Sequence, residues 1–346
     1  MSGGVDSSVA AALLVGEGHD VVGATLKLWG GPSDSGCCSV ADVDDARRVA
    51  QQLGIDHHVF NLTEEFDRHV VAPYVRAHVQ GRTPNPCIEC NRAIKFDRLL
   101  ERSARLGFDA LATGHHARVT GEGPGPRRLR RGADAAKDQS YVLSMLGQAE
   151  LARVLFPVGE MTKADVRGHA AGLGLRTAAK PDSQDVCFIG SARGREGFLA
   201  DRVELHPAEV IDGRGETVGT VDAVELVTLG QRRGMGHGSD GGRHYVVAVD
   251  VPARRVTVGS AAEAVITSVV LPRASVTWVD RALRHGDRAV AQVSAHGRPA
   301  ACVVAQAEDG LLVRFDAPQR PVAPGQTVAL YDVGDPDTVV GAGIAA

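Results

Sequence analysis

A long hydrophobic run is the first thing this sequence lacks. The apolar stretch over residues 9–15 is too short to span a bilayer, and no Lys or Arg precedes it, which predicts a core-facing helix in a cytoplasmic protein rather than an anchor or an export signal. An excess of positive charge is also missing. Lys and Arg number 38 against 42 Asp and Glu, a formal net charge of -4, so any hold on nucleic acid has to come from a local basic patch. There is no evenly spaced cysteine framework. The six cysteines fall as an adjacent pair (Cys37, Cys38), a pair three apart (Cys87, Cys90) and two singletons (Cys187, Cys302), a spacing that argues against a secreted disulfide scaffold and for reduced, reactive thiols. No internal repeat of fixed period is evident. What remains, with 44% hydrophobic and 23% charged residues over 346 positions, is a globular chain with room for two or three domains.

The organising stretch is Ser2, Gly3, Gly4, Val5, Asp6, Ser7 and Ser8. Two glycines let backbone N–H groups converge where a Cβ would obstruct them, and the following apolar run reads as a helix whose N-terminal dipole favours an anion. No lysine follows the glycines, which excludes the Walker pattern. The stretch resembles instead the pyrophosphate loop (PP-loop) of enzymes that split ATP between its α and β phosphates. Ser2, Gly3, Gly4, Ser7 and Ser8 have donors for a leaving pyrophosphate, and Asp6 fits that chemistry by accepting backbone N–H groups or meeting Mg2+. The plain alternative is a Ser- or Asp-capped helix after a glycine turn. A turn of this kind normally follows a strand, and Met1 lies inside it, so the sequence is expected to lack the first strand of its sheet, with the true start upstream.

Further along, residues 20–29 read as a buried strand, 42–53 as a surface helix ending at Gly54, and 57–62 as the next strand. Thr63 is expected to cap a helix that Pro73 bends or interrupts. Strands alternating with helices predict a parallel, doubly wound α/β sheet, with ligands at the carboxyl ends of its strands. In residues 81–96 two prolines bracket Asn85 and predict an extended loop displaying Cys87 and Cys90. Residues 108–116 read as a strand ending in a Gly-His turn, and Thr162 with Asp165 as a capping box opening a helix that ends near Gly172. Arg127, Arg128, Arg130 and Arg131 lie within five residues, just after a glycine-rich start that suggests a hairpin, and are either a phosphate-binding patch or a solvated face. From about residue 198 helical patterns give way to short strands between glycine turns, including 209–211, 224–229, 245–251 and 255–258. The expected domains are 1–197 (nucleotide-binding α/β), 198–267 (small, β-rich) and 268–346 (β-barrel).

Ser-Gly-Gly-Val-Asp-Ser, the Gly-Arg-Thr-Pro-Asn-Pro loop with its Cys-Asn, Ala-Thr-Gly-His, Lys-Asp-Gln-Ser-Tyr, Asp-Ser-Gln-Asp-Val-Cys-Phe and Leu-Gly-Gln-Arg-Arg-Gly occur in the order seen in bacterial tRNA-uridine 2-sulfurtransferases. The chain is similar to that family over nearly its whole length. The resemblance implies ATP-dependent conversion of the wobble uridine of tRNA to 2-thiouridine, with ATP and Mg2+ required. Its implied partners are tRNA, a persulfide-carrying sulfur donor protein and an external reductant, and no membrane. Carried over by motif, Cys90 matches the nucleophile and Cys187 the persulfide carrier, the two forming a transient disulfide. Ser2 to Ser8, Leu26 and Gly114 match ATP-site positions. Asn85, Pro86 and Cys87 match the segment at the target base, and His115, Lys137, Asp138, Gln139 and Gln326 match tRNA contacts. Two departures stand out. Many family members have Asp where this chain has Cys87, and the basic and aromatic pair often presented to tRNA is replaced around Ser294 and Ala295.

The chemistry is coherent without the resemblance. A uracil carbonyl oxygen is a poor leaving group, so ATP first makes it an adenylate, and a sulfur nucleophile then expels AMP. Two thiols far apart in sequence suit this, one holding a persulfide and the other attacking it. A PP-loop ligase or amidotransferase acting on a small metabolite is a competing reading, but it leaves the cysteines and arginines unused. Another is a metal-binding RNA module, with Cys87 and Cys90 as half of a zinc site completed by Cys37, Cys38 or histidines. An iron–sulfur cluster on Cys87, Cys90 and Cys187 is a third arrangement open to these thiols.

Overall fold

The computed structural model describes residues 1–29, 39–121, 125–182, 186–190, 193–238 and 241–346. Cys37 and Cys38, the centre of the Asp182-to-Phe188 motif (183–185) and the tip of the expected hairpin (122–124) lie outside the described residues. The chain divides into two compact units. One comprises Met1–Val71, Pro86–Ala192 and Asp337–Val339, and the other Ala72–Asn85, Arg193–Pro336 and Val340–Ala346.

The first unit is α/β. Helix Val5–Gly16 begins directly at Gly4, and no side chain caps it. Strand Gly23–Lys27 pairs in parallel with His57–Asn61, and the short strand Leu111–Ala112 pairs in parallel with Val154–Leu155, the arrangement that alternating strands and helices require. Between the first two strands runs helix Val40–Leu53. The Ser39 side chain accepts from the Asp42 N–H at its start, and Gly54 closes it at φ 70. Helix Lys163–Gly172 starts in the expected box, with Thr162 and Asp165 each accepting from the other's backbone. Val5, Val9 and Ala10 of the first helix pack with Val49 of the second and Val166 and Ala170 of the third, fixing the glycine turn at one end of a dry core. The arginine stretch forms the predicted hairpin, with Arg128–Arg131 antiparallel to Ala117–Thr120.

In the second unit a four-stranded sheet runs in the order Thr217–Val221, Ala208–Ile211, Arg255–Gly259, Tyr245–Asp250, over a core of Val210, Val224, Val246, Val256, Val258 and Met235. A seven-stranded sheet follows, built on antiparallel pairs such as Cys302 opposite Phe315 and Ala289 opposite Cys302. Its edges approach each other. Gly343, next to one end of the strand order, lies so close to Leu271 at the other that a Cβ would sit 3.1 Å from that side chain, so the sheet is rolled around Leu271, Val304, Val313, Leu330 and Val340.

The structure corrects several local expectations. The helix expected from Thr63 is capped one step earlier, because Asn61 Oδ1 accepts from both the N–H and the hydroxyl of Thr63, leaving Leu62 as the cap residue. The interruption attributed to Pro73 takes the form of a π-helical turn, Asp67–Val71, ahead of helix Ala72–Val79, which accommodates a residue with no N–H to give. Residues 224–229 are not a strand. Val224–Leu226 is a 3-10 turn, and the charge in its middle, Glu225, is buried because His206 Nδ1 meets it at 2.8 Å. The loop around Asn85 is extended only up to that residue. Pro86 opens a short helix, Pro86–Glu89, continued by a π-helix over Cys90–Leu99 whose Ile94 and Phe96 are buried, and this carries Cys90 inward, so Cys87 is exposed and Cys90 is not. Among the described residues no helix is long and apolar enough to cross a membrane.

Candidate active site

The glycine turn is held from three sides. Gly3 adopts φ +70, a conformation a side chain rarely tolerates, and sits against the carbonyl of Asp42. Within the turn, the Ser2 N–H donates to Ser7 Oγ at 3.0 Å, and Ser7 and Ser8 Oγ donate to the Gly4 carbonyl at 3.2 and 2.9 Å. Gly114, from the end of the strand Leu111–Ala112, presses so closely on the helix start that a Cβ there would lie 2.5 Å from Asp6 C and Ser7 N. Leu26, in strand Gly23–Lys27, is half-buried.

Asp6 is the centre of an ionic network that the sequence did not reveal. Lys163 Nζ reaches both its oxygens, at 2.7 and 2.8 Å, and His116 Nε2 lies 3.1 Å from Oδ1. Burial works against ionisation of Asp6, but the bonds from His116 and Lys163 outweigh it and hold the carboxyl below the usual carboxylate range. Lys163 also meets Asp182 at 2.9 Å, and Asp182 in turn takes Lys137 and Arg167, each at 2.8 Å. The Asp182 carboxyl is pushed down to about 2, burial again opposing and the Lys137 and Lys163 bonds prevailing. A second lysine, Lys180, donates to the Gly3 carbonyl at 2.9 Å and to Asp42 and Asp45 at 2.6 and 2.8 Å. Capping and apolar periodicity give no sign of these lysines, because their partners lie far away in the chain.

Of the residues expected to touch tRNA, Lys137 belongs to this network. Asp138 and Gln139 bond within the chain: Asp138 accepts from Arg131, the Gly132 N–H and Ser140, and Gln139 Oε1 accepts from the His116 N–H at 2.9 Å. His115 is buried between the rings of Phe96 and Phe156, with Nδ1 2.7 Å from Thr113 Oγ1, and burial pushes its imidazole well below the ordinary value. Pro86 is buried and Cys87 exposed in the first unit, whereas Asn85 and Gln326 belong to the second. There the loops leading into both are joined by the Thr83 N–H donating to the Pro324 carbonyl at 2.7 Å. In the arginine hairpin Arg131 is tied to Asp138 at 2.7 Å and Arg127 to the Gly121 carbonyl, while Arg128 is exposed.

Cys90 is buried at the head of its π-helix, and Asn91 Nδ2 anchors the next position to the Val142 carbonyl at 3.0 Å. Cys187 is half-buried beside Phe188, whose ring packs on Phe66 (5.6 Å) and Trp29 (6.1 Å). Both cysteines lie in the unit that holds the glycine turn. Among the described residues no three His, Cys, Asp or Glu side chains converge as a metal-holding group.

A glycine-rich anion turn at a helix start, parallel strand pairs and two following β domains define a class, an α/β nucleotide-binding protein with barrel domains appended. Residues 1–191 match the tRNA methyl transferase HUP domain family, residues 196–260 its PRC-barrel domain, and residues 271–345 the aminomethyltransferase beta-barrel domain. The chain belongs to the family whose curated members are named tRNA-specific 2-thiouridylase MnmA. It is 46% identical over 343 residues to the protein of that name from Chloroflexus aurantiacus, covering 96% of this chain and 93% of the relative. Identity is 45% over 345 residues with that of Mycobacterium avium (97% and 94%) and 44% over 367 residues with that of Roseiflexus sp. (99% and 97%).

Proposed function

We propose that the protein is a cytoplasmic tRNA-uridine 2-sulfurtransferase, converting the wobble uridine of tRNA to 2-thiouridine at the expense of ATP. The observation that carries this reading is the presence, in one compact unit of a 2-thiouridylase family member, of an uncapped glycine turn together with Cys90 and Cys187. ATP is held by residues Ser2 to Ser8 with Leu26 and Gly114, and Asp6, already ionised, is the carboxylate suited to the Mg2+ that accompanies the nucleotide. The uracil O2 attacks the α phosphorus, the bond to the β-phosphate oxygen breaks, and pyrophosphate leaves with the electron pair. The terminal sulfur of a Cys187 persulfide then attacks C2 and expels AMP. The Cys90 thiolate attacks Cys187 Sγ, leaving sulfur on the base and a Cys90–Cys187 disulfide, which a two-electron reductant reopens.

Asn85, Pro86 and Cys87 are assigned to the target base, and His115, Lys137, Asp138, Gln139 and Gln326 to the rest of the tRNA. For buried His115 and internally bonded Asp138 and Gln139 that role is to shape the contact surface. The divisions near residues 197 and 267 separate the catalytic, central and barrel domains. A persulfide-carrying protein supplies the sulfur. The test is incubation with tRNA, ATP and a persulfide donor, followed by nucleoside mass spectrometry. 2-Thiouridine is expected, with pyrophosphate release stimulated by tRNA. Pyrophosphate release that responds to a small metabolite and not to tRNA would favour a ligase instead.

A further inference from the structure

The glycine turn lacks the lysine that a Walker loop carries within itself, and the fold brings one to it from elsewhere in the chain. We propose that Lys163 is the phosphate-binding cation of this site, contacting the β and γ phosphates of ATP and the pyrophosphate they become; the assignment rests on the adenylation chemistry proposed above. Lys163 is the first residue of helix Lys163–Gly172, and its side chain is only 13% exposed. Its ammonium is placed by Asp6, the second residue of the helix that starts at the glycine turn, at 2.7 and 2.8 Å. It therefore stands where that helix presents its uncapped N–H groups.

The bonding of Lys163 is exchangeable. Among the described residues the close partners of its ammonium are carboxylate oxygens, on Asp6 and Asp182, and each carboxylate has other cationic or N–H partners: His116 on Asp6, Lys137 and Arg167 on Asp182. A phosphate oxygen can replace one of these oxygens on Lys163 without stranding the carboxylate it displaces. Lys180 differs, since one of its partners is the carbonyl of Gly3 itself, and withdrawing it would release the backbone of the turn. Lys180 shapes the turn, and Lys163 serves its anion. When uracil O2 attacks the α phosphorus, charge grows on the oxygen that leaves with the β phosphate, and a lysine ammonium on that group stabilises it without a proton having to move.

The experiment compares Lys163→Met and Lys163→Arg with the unaltered protein by calorimetric titration with ATP, inorganic pyrophosphate and AMP. Lys163→Met is expected to weaken ATP and pyrophosphate binding by about tenfold to a hundredfold, the value of a charged hydrogen bond, and to leave AMP binding as it was. Lys163→Arg should recover part of the loss. Asp182→Asn removes a competitor for the ammonium and should strengthen pyrophosphate binding, a gain that a purely structural network would not give. Pyrophosphate binding unchanged in Lys163→Met, equal losses for AMP and pyrophosphate, or weaker pyrophosphate binding in Asp182→Asn would overturn the assignment. The calorimetry needs no tRNA. Failure of tRNA to stimulate pyrophosphate release from the unaltered protein would therefore count against the proposed function and leave the Lys163 comparison decisive on its own.

Discussion

Lys180 Nζ donates to the carbonyl of Gly3 at 2.9 Å across 177 residues of chain, and the same ammonium bonds Asp42 and Asp45 of the neighbouring helix. The shape of the anion turn is thus set from outside as well as by its own glycines. Gly3 needs its positive φ and has the Asp42 carbonyl where a Cβ would go, whereas Gly4 has φ -96 and, among the described residues, only the Ser2 hydroxyl nearby, at 3.4 Å. Gly3→Ala is therefore expected to cost about 2 kcal/mol or more and to abolish measurable ATP binding, while Gly4→Ala costs about 1 kcal/mol at most. Urea midpoints of the two variants, measured side by side, decide it, and equal losses would mean that the turn is not held in this way.

A second expectation concerns acid. The Asp182 carboxyl sits at about 2 in the folded protein against an ordinary 3.8, so its folded value is the depressed one. The stability it contributes is fully present above the ordinary value and is lost as pH falls through that value toward 2. Asp182→Asn should therefore lower stability near neutral pH and flatten its decline between about pH 5 and about pH 3, as read from urea melts at a series of pH values. An acid limb as steep as that of the unaltered protein would show that Asp182 is not among the groups responsible.

How far the sequence can be read follows from the range of each interaction. The glycine turn, the Thr162 box and the αL closure at Gly54 are local, formed by residues within a few positions of one another, and local chemistry writes them into the sequence. Lys163 and Lys180 meet Asp6 and Gly3 only after the sheet has formed, and their own neighbourhoods show nothing but an ordinary helix start and a lysine before Pro181. Cys90 departs from expectation for a different reason. The prolines around Asn85 suggest a displayed loop, but Pro86 also suits the first turn of a helix, and the apolar Ile88, Ile94 and Phe96 that follow turn that helix inward. The buried pair of Glu225 and His206 is hidden in the same way, since an apolar run with one charge in it reads as a strand until the partner 19 residues away is known.

The arginine hairpin separates into two kinds of side chain, and their variants should behave differently. Arg131 holds Asp138, which in turn holds the Gly132 and Ser140 N–H groups, so Arg131→Ala should loosen the loop that carries Lys137 and lower the urea midpoint. Arg128 is exposed, and Arg128→Ala should lower the midpoint less than Arg131→Ala while weakening tRNA binding. The slope of log K against log salt should become shallower by about 0.9 at most for each phosphate that is no longer neutralised. An unaltered slope after replacing all four arginines would make the hairpin a solvated face.

The last expectation concerns the thiols. Cys87 is exposed, Cys90 is buried at the head of its helix and Cys187 is half-buried, while Cys302 is fully enclosed in the barrel, where burial and the nearby Asp316 push its thiol up to about 11. In the folded protein, among the cysteines of the described residues, Cys87 should therefore be alkylated first and Cys302 only on unfolding, because attack requires both access and thiolate. This order is set by exposure and is separate from function, so reactivity toward a small reagent should not follow the sulfur pathway. Cys187→Ser is expected to abolish thiolation while retaining tRNA-stimulated pyrophosphate release, since the adenylation site is built from other residues. Cys90→Ser should also stop turnover, but after charging with a persulfide donor it should retain the extra sulfur, because the thiolate that would resolve it is gone. Peptide mass spectrometry of the charged variants locates that sulfur. Cys187 is the expected carrier even though Cys87 is the more accessible thiol, and an extra sulfur found only on Cys87 would mean that this chain carries its sulfur on the exposed thiol instead.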